Sequence, residues 1–396
     1  MKNQTRAGRQ RAKDSSAAQR GGYNTQGSEL ILAGAMEGVA RIKVVGVGGG
    51  GCNAVARMVK ENIPGVEYIC INTDAQALMR TEAPTRIRIG DQITKGLGVG
   101  GDPSVGRQAA EESREEVAEV MKGADMIFLA AGMGGGTGTG AAPVIAELAK
   151  AQDALTIGIV TRPFLWEGAQ RKRRADEGIS RLREKVDTLL VIPNESLLAL
   201  CDRKVTMGAA FKMADEVLRR SITAIAELIM VPGEINLDFA DVKTIMRNAG
   251  SAMMGIGVGK GDNRATEAAR DAINNPLLDV SIEGAKGVLF NITGGDDLTL
   301  SEVQAAAEII SKAVDPDANI FFGMTMDHKL EDEVRITLIA TGFPNGDSTA
   351  SFATPETISK LLQDTSRAEE KLDVPPFLRK TAVPAARNGR LPVGSF

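Results

Sequence analysis

Three glycine-rich segments constrain most strongly what this chain can fold into. They are Gly46–Gly51, Gly96–Gly101 and Gly132–Gly140, and each is followed by a pattern typical of a helix. The first and the last also continue apolar runs typical of buried strands. Backbone N–H groups at such turns, with no side chains in the way, form a cradle for anions. The sequence therefore predicts a polyphosphate that is held from several sides.

Short apolar runs alternate with amphipathic segments from Arg41 onward, and the first helix is predicted to open near Asn53 and the second at Thr73. Continuous apolar strands separated by helices are typical of a parallel sheet covered on both faces, with ligands at the carboxyl ends of the strands. The predicted strands of this part are Ile42–Val47, Val66–Ile71, Met126–Ala131, Leu155–Val160 and Thr188–Ile192.

A long amphipathic stretch over 209–230 ends at Pro232-Gly233, and further strand-like and helical segments follow it. The predicted fold class is therefore α/β: a Rossmann-like parallel-sheet domain joined by a long central helix to a second α/β domain. The predicted bounds are a disordered basic arm at 1–38, the first domain at 39–208, the central helix at 209–230, the second domain at 231–350, a flexible linker at 351–371, a partner-binding peptide at 372–380 and a disordered tail at 381–396.

Composition excludes several classes of protein. Three cysteines without a CxxC pair in 396 residues indicate a reducing compartment, and a single histidine, His328, excludes a multi-histidine zinc site. Aromatic residues make up only 4% of the chain and the net charge is −4, so no nucleic-acid surface is expected. No apolar run is long enough for membrane insertion. The basic, acid-poor arm leaves an organelle transit peptide open as an alternative.

No G-x-x-x-x-G-K-[ST] motif occurs, so the chain is not a P-loop protein. The G-G-G-T-G-T-G run at Gly134–Gly140, the segment Gly46–Gly51 and the segment Asn236–Asp241 together resemble the FtsZ family, which is related to tubulin. The resemblance covers about residues 40–350. It implies a tubulin/FtsZ-like fold, binding and hydrolysis of GTP, and head-to-tail filaments that form the cell-division ring in the cytoplasm at midcell.

The same resemblance assigns site residues by matching motif. Those implied to hold or flank the phosphates are Gly134, Gly135, Gly136, Thr137, Gly138, Thr139, Gly48, Gly49, Gly50 and Asn53, with Ala75, Gly98, Gly100 and Gly101 near the γ-phosphate. Glu167 and Arg171 resemble the ribose-contacting pair, and Asn194, Phe211 and Asp215 the guanine-binding set. A carboxylate suits guanine because it accepts from both N1–H and the 2-amino group. A solvated helix position is the alternative for Asp215.

A cradle of backbone amides supplies no group that orients water, so candidate catalytic acids must come from elsewhere. Asp238 and Asp241 are three residues apart at the start of a predicted helix and therefore share one face. One interpretation is that they merely cap the helix. The resemblance implies instead that Asn236, Asp238 and Asp241 enter the nucleotide site of the next subunit and polarise the attacking water, so that hydrolysis depends on assembly.

The expected cofactors are GTP, GDP and a hydrated Mg²⁺ with few protein ligands. The expected partners are further copies of the chain and, through Asp373–Lys380, membrane-tethering and regulatory division proteins, because this peptide resembles the C-terminal docking peptide of the family. Two alternatives remain. A nicotinamide-dependent (NAD(P)-binding) oxidoreductase would use Gly46–Gly51 with Asp74 on the ribose, but leaves two glycine segments unexplained. A nucleotide-binding scaffold would assemble without hydrolysis.

Overall fold

A computed structural model describes residues 40–61, 63–199, 205–230, 238–275, 281–328, 330 and 332–343. The chain divides into two compact units, Met1–Gly346 and Asp347–Phe396, and every described residue belongs to the first. The predicted N-terminal arm, linker, docking peptide and tail lie outside the described residues, as does Asn236.

The described residues form ten strands and twelve α-helices. The strands are β1 (Ile42–Val47), β2 (Val66–Asn72), β3 (Thr85–Arg88), β4 (Met126–Gly132), β5 (Leu155–Arg162), β6 (Thr188–Pro193), β7 (Gly250–Lys260), β8 (Gly287–Gly294), β9 (Asn319–Met326) and β10 (Glu333–Thr341). The helices are α1 (Gly48–Glu61), α2 (Ala75–Met79), α3 (Asp91–Thr94), α4 (Pro103–Glu112), α5 (Arg114–Met121), α6 (Thr137–Lys150), α7 (Ala169–Arg183), α8 (Asn194–Ala199), α9 (Met207–Met230), α10 (Phe239–Met246), α11 (Arg264–Ile273) and α12 (Leu300–Ala313).

The strands form one sheet in the order β3-β2-β1-β4-β5-β6-β7-β10-β8-β9. The N-terminal half, from β3 to β6, is parallel throughout, which confirms the parallel sheet predicted from the apolar runs. Strands β1, β2, β4, β5 and β6 are largely buried on both faces, whereas the edge strand β3 buries only Ile87. Helices α1, α9 and α10 contribute to the core on one face, and α4 to α7 to the core on the other. Strand order reverses between β1 and β4, which places their carboxyl ends side by side.

The C-terminal half of the sheet has mixed topology. Strand β10 runs antiparallel to β7 and β8, while β8 and β9 are parallel, and α11 and α12 pack on this half in a core of their own. The two halves join where β6 pairs with β7 over Thr188–Leu190. The central helix α9 contributes Ile222 and Ile225 to a core that also holds Met254 of β7, so α9 packs against both halves.

Several element boundaries differ from the sequence-based expectation. Helix α1 begins at Gly48 rather than near Asn53, because the glycine segment is itself the first turn of the helix. Helix α2 begins at Ala75 rather than Thr73, because Asp74 forms its N-cap. The short edge strand β3 is not predicted by the apolar pattern. Among the described residues, every helix is too short or too polar to cross a bilayer.

Candidate functional site

The three glycine segments, which we call loop 1 (Gly46–Gly51), loop 2 (Gly96–Gly101) and loop 3 (Gly132–Gly140), come together at one edge of the sheet. Loops 1 and 3 are neighbours because they follow the adjacent strands β1 and β4. Gly48 has a φ of +69°, and a Cβ atom there would lie 2.8 Å from the backbone N of Gly138. Only glycine permits both this backbone conformation and this close approach of the two loops.

Loop 2 completes the group. A Cβ atom on Gly136 of loop 3 would lie 2.2 Å from Val99 Cγ2 and 3.0 Å from the backbone N of Asp102. The N–H of Ala75, at the start of α2, donates to the carbonyl of Gly96 (3.2 Å). Loops that are distant in sequence therefore pack directly against one another, as the prediction of a ligand held from several sides requires.

The loops border a cavity of about 400 Å³. The predicted site residues that line it are Gly49, Gly50, Gly98, Gly101, Gly135, Gly136, Thr137, Gly138, Glu167, Arg171, Asn194, Phe211 and Asp215. The residues expected at the phosphates, the ribose and the base thus border one space. Their contacts with a nucleotide remain predictions.

The other predicted binding residues lie beside this space without lining it; they are Gly48, Asn53, Ala75, Gly100, Gly134 and Thr139. Some of them support the loops from behind. Buried Thr139 accepts a hydrogen bond at Oγ1 from the N–H of Gly134 (2.8 Å), which fixes the turn of loop 3. Asn53 is exposed on α1.

Three further polar residues line the cavity and were not predicted: Asn72, Thr73 and Thr161. Each lies at the carboxyl end of an apolar strand or directly after it, and that position is the signal that would have identified them. The hydroxyls of Thr73 and Thr137 lie 2.8 Å apart and share a hydrogen bond. This bond ties the end of β2 to the start of α6.

Asp74, the ribose-binding acid of the oxidoreductase alternative, has a structural role. Its carboxylate accepts hydrogen bonds from the N–H groups of Gln76 (2.8 Å) and Ala77 (3.1 Å) and so caps α2. The geometry therefore accounts for this acid without a dinucleotide, and the oxidoreductase alternative is not favoured.

The end of the cavity formed by α9 carries a buried carboxylate. Asp215 exposes only 14% of its side chain, and its Oδ2 lies 3.4 Å from Arg57 Nη2. Burial raises the pKa of Asp215 to about 6, an effect that the positive charge of Arg57 only partly offsets. The carboxylate is therefore ionised at neutral pH and can accept hydrogen bonds from a ligand at the positions that Arg57 does not occupy.

Asn194, at the start of α8, is buried, and its Oδ1 has no hydrogen-bond partner among the described residues. An unsatisfied buried polar atom is uncommon in a native protein and calls for an explanation, such as a ligand donor. Phe211 lies at the same end, 38% exposed, in edge-to-face contact with Phe164 and Trp166 at centroid distances of 5.7 and 5.6 Å. This end of the cavity therefore offers hydrogen-bonding groups beside an aromatic wall, which suits a purine.

The two residues predicted by resemblance to contact ribose, Glu167 and Arg171, form an ion pair with each other. Glu167 Oε2 pairs with Arg171 Nε at 3.0 Å, and Glu167 Oε1 accepts from the N–H of Phe164 (2.8 Å). The Glu167 side chain is nearly buried, whereas half of the Arg171 side chain is exposed. Arg171 is thus the more accessible member of the pair.

The described residues that line the cavity include three acids, Asp74, Glu167 and Asp215, and each already has a protein partner. No group of three or more His, Cys, Asp or Glu side chains that could hold a metal ion occurs within the described part of the chain.

The predicted catalytic acids lie elsewhere. Asp238 occupies the N-cap position of α10 and is exposed, but its side chain makes no capping hydrogen bond, so the interpretation as a simple cap is not supported for it. Asp241 lies in the first turn of α10 and is half-buried. Neither residue lines the cavity of its own chain.

Comparison with known proteins agrees with this geometry. Residues 41–202 match the GTPase domain of the tubulin/FtsZ family, and residues 250–344 match the C-terminal domain of the FtsZ family. An FtsZ dimer from M. jannaschii is 46% identical, with a TM-score of 0.75 over 80% of this chain and 92% of that one. A point mutant of M. jannaschii FtsZ gives 46% identity and a TM-score of 0.76 over 80% of this chain and 96% of that one.

A more distant structure shares the fold. CetZ2 from Haloferax volcanii, solved as a protofilament with GTPγS, is 20% identical, with a TM-score of 0.67 over 83% of this chain and 99% of that one. The matches to the GTPase domain and to the FtsZ C-terminal domain together span most of the described residues. All three glycine loops lie within the match to the GTPase domain. The chain therefore belongs to the FtsZ family of tubulin-like GTPases.

Proposed function

We propose that this protein binds GTP in the cavity of the N-terminal half and hydrolyses it when copies of the chain assemble head to tail. The observation that carries the proposal is the convergence of the three glycine loops at the point where strand order reverses. Backbone N–H groups from loops 1 and 3, at the starts of α1 and α6, face the phosphates, and loop 2 meets the γ-phosphate. Mg²⁺ that arrived with the nucleotide would neutralise part of the phosphate charge, and no described residue that lines the cavity is assigned to hold it.

Guanine is selected at the far end of the cavity. The ionised carboxylate of Asp215 accepts hydrogen bonds from the base N1–H and 2-amino groups, and the unpaired Oδ1 of Asn194 supplies a further acceptor. Adenine offers no such pair of donors, so it would leave the ligand-facing positions of this partly buried carboxylate without hydrogen bonds, at a cost of about 1–3 kcal/mol. That cost corresponds to a preference for guanine of roughly tenfold to a hundredfold. Arg171 contacts the ribose.

Catalysis requires a second copy of the chain. The described acids of the cavity have other roles in this proposal: Asp74 caps α2, Glu167 pairs with Arg171, and Asp215 meets the base, so none of them is assigned to orient the attacking water. Asp238 and Asp241 of a neighbouring molecule supply that function when α10 reaches the open side of the cavity, together with Asn236, which lies outside the described residues. Phosphoryl transfer depends chiefly on positioning and charge stabilisation, and an incoming carboxylate provides positioning.

The structures of similar proteins support the proposal that copies of this chain assemble with one another. The M. jannaschii FtsZ was solved as a dimer and the Haloferax CetZ2 as a protofilament. We propose that this chain forms filaments that contribute to the cell-division ring in the cytoplasm at midcell, with Asp373–Lys380 as the docking peptide for membrane tethers and regulators. Loss of the γ-phosphate weakens the contact between subunits and permits their exchange.

Phosphate release measured at several protein concentrations, with right-angle light scattering in parallel, tests this function. The specific activity with GTP should rise steeply once scattering reports assembly, and GDP should support neither signal. A specific activity that is the same in dilute and concentrated protein would contradict catalysis between subunits. Assembly with GTP but without phosphate release would favour the alternative of a scaffold that does not hydrolyse.

A further inference from the structure

Loop 2 is rich in glycine and lies outside any strand or helix, whereas loops 1 and 3 overlap the strands and helices that they connect. Gly96, Gly98, Gly100 and Gly101 all have positive φ angles, and Leu97 between them is 86% exposed. Glycine loses more conformational freedom on folding than any other residue, so a loop of this composition has many competing conformations. Contacts from outside the loop must therefore hold it in one shape.

The two ends of loop 2 are held in different ways. The first end is held by backbone, through the hydrogen bond from Ala75 N–H to Gly96 O and a strand-like bridge between Asp74 and Leu97. The second end is held by a side chain, since Nη1 of Arg174 on α7 donates to the carbonyl of Gly101 (2.8 Å). A charged donor makes a stronger hydrogen bond than a neutral one.

Arg174 also connects loop 2 to the rest of the cavity. It lies three residues after Arg171 and therefore on the same face of α7. Arg171 pairs with Glu167 at the ribose end, and a Cβ atom on Gly134 of loop 3 would lie 2.7 Å from Arg171 Cγ. One helix face thus contacts the ribose end, loop 3 and loop 2.

We propose that Arg174 is a positioning residue that holds loop 2 in the shape that accepts the γ-phosphate, and so determines how well the cavity distinguishes GTP from GDP. This inference rests on the proposed GTP-binding function. Arg174 does not line the cavity and acts through Gly101, which does. GDP lacks the group that loop 2 meets, so its affinity does not depend on this contact.

The test compares R174A with R173A in calorimetric titrations with GTPγS and GDP, at protein concentrations below assembly. Arg173 is the matched control because it carries the same charge one residue away, is exposed, and has no described hydrogen bond or ion pair. We expect R174A to bind GTPγS about tenfold more weakly and GDP within about twofold of the parent. R173A should match the parent for both nucleotides.

Two further measurements separate positioning from a general loss of structure. Amide hydrogen exchange in residues 96–102 should be faster in R174A without nucleotide, while α7 and β4 remain protected as in the parent. R174K keeps a charged donor for a single carbonyl and should restore GTPγS affinity to within about threefold of the parent. If R174A does not fold, R174Q takes its place with the same expectation for the ratio of the two affinities.

Equal losses for GTPγS and GDP, or values like those of the parent for both, would overturn the role of Arg174 while leaving the proposed function intact. A parent protein that binds neither nucleotide would overturn the proposed function and this inference with it. Because the parent is titrated first, the two failures are distinguishable.

Discussion

The N-terminal half of the sheet borders a cavity whose described acids all have protein partners, whereas Asp238 and Asp241 lie at the start of α10, the helix that precedes β7, and do not line that cavity. Under the proposed function, the first region would hold the nucleotide and the second would act on it. The difference between the two regions then means that a single molecule would lack a complete catalytic site. The proposed chemistry therefore requires the first region of one copy to meet the second region of another.

Removing one of the acids at the start of α10 should have the largest effect. We expect Asp241→Ala to lower kcat for GTP about a thousandfold, as is typical for the loss of a group that activates water, while GTP binding and assembly remain nearly intact. Asp262→Ala, which removes an exposed acid in the turn between β7 and α11, is the control and should keep the activity of the parent. Phosphate release together with light scattering measures both quantities, and unchanged hydrolysis in Asp241→Ala would remove its catalytic role.

Disturbing the cavity itself should abolish binding instead. In Gly48→Ala, the new Cβ meets the backbone N of Gly138 at 2.8 Å, and alanine is strained at a φ of +69°. We expect GTP affinity to fall by about a hundredfold or more and the free energy of unfolding to decrease by about 2 kcal/mol. Gly208→Ala, on α9 with nothing within 4 Å of the added atom, should leave both unchanged. Normal binding by Gly48→Ala would show that loops 1 and 3 need not approach so closely.

Changing Asp215 should alter which base the cavity prefers without abolishing nucleotide binding. Asp215→Asn replaces two acceptors with one acceptor and one donor, so GTP affinity should fall roughly tenfold to a hundredfold. Xanthine has a carbonyl in place of the 2-amino group, and XTP should therefore bind the variant better than the parent. Competition titrations with GTP, XTP and ATP measure this ratio, and equal weakening for all three would point to damage rather than recognition.

The smallest expected effect is a dependence of GTP affinity on pH. Because the pKa of Asp215 is raised to about 6, the free protein takes up a proton there as the pH falls through 6, whereas guanine favours the ionised form. GTP affinity should be constant above pH 7 and about tenfold lower at pH 5.

The same raised pKa also affects the stability of the protein without nucleotide. The contribution of Asp215 to the free energy of unfolding declines as the pH rises from 3.8 to 6.

The matched control for the pH profile is Asp215→Asn, in which this dependence should disappear. Arg57→Met removes the charge that lowers the pKa of Asp215, so its profile should shift to higher pH. Titrations at protein concentrations below assembly keep the measurement free of filament formation. An identical slope in the parent and in Asp215→Asn would assign the titration to another group.

The sequence was sufficient to predict the parallel half of the sheet and the loops at its edge, because buried strands and glycine turns leave strong local patterns. Strand β3, with only four residues, leaves almost none. The antiparallel direction of β10 depends on long-range pairing that periodicity does not encode. Thr73 and Thr161 were missed because a single threonine at the end of a strand carries no local pattern that marks a binding site. Only the folded chain brings the hydroxyl of Thr73 to within 2.8 Å of the hydroxyl of Thr137.

The pKa values and hydrogen-bond partners of the acids in the site could not be predicted from the sequence either. The position of Asp215 on α9 was predicted by resemblance, but the burial that raises its pKa and the neighbouring Arg57 depend on how α1 packs against α9. The capping role of Asp74 likewise became evident only when Gln76 and Ala77 were seen to donate to it. Local sequence identified the groups, and tertiary packing determined which of them have unused hydrogen-bonding capacity.

The separation of the cavity from the start of α10 has a consequence for any linear chain of these molecules. Every junction joins one cavity to one incoming α10, so a row of subunits always has one junction fewer than it has subunits. In the proposed filament, the molecule at one tip would keep an uncovered cavity and its triphosphate, while each of the other molecules would have its triphosphate hydrolysed with the help of a neighbour's α10. The two tips of such a row would then carry different nucleotides. The rate of phosphate release would be proportional to the number of junctions between subunits rather than to the number of subunits.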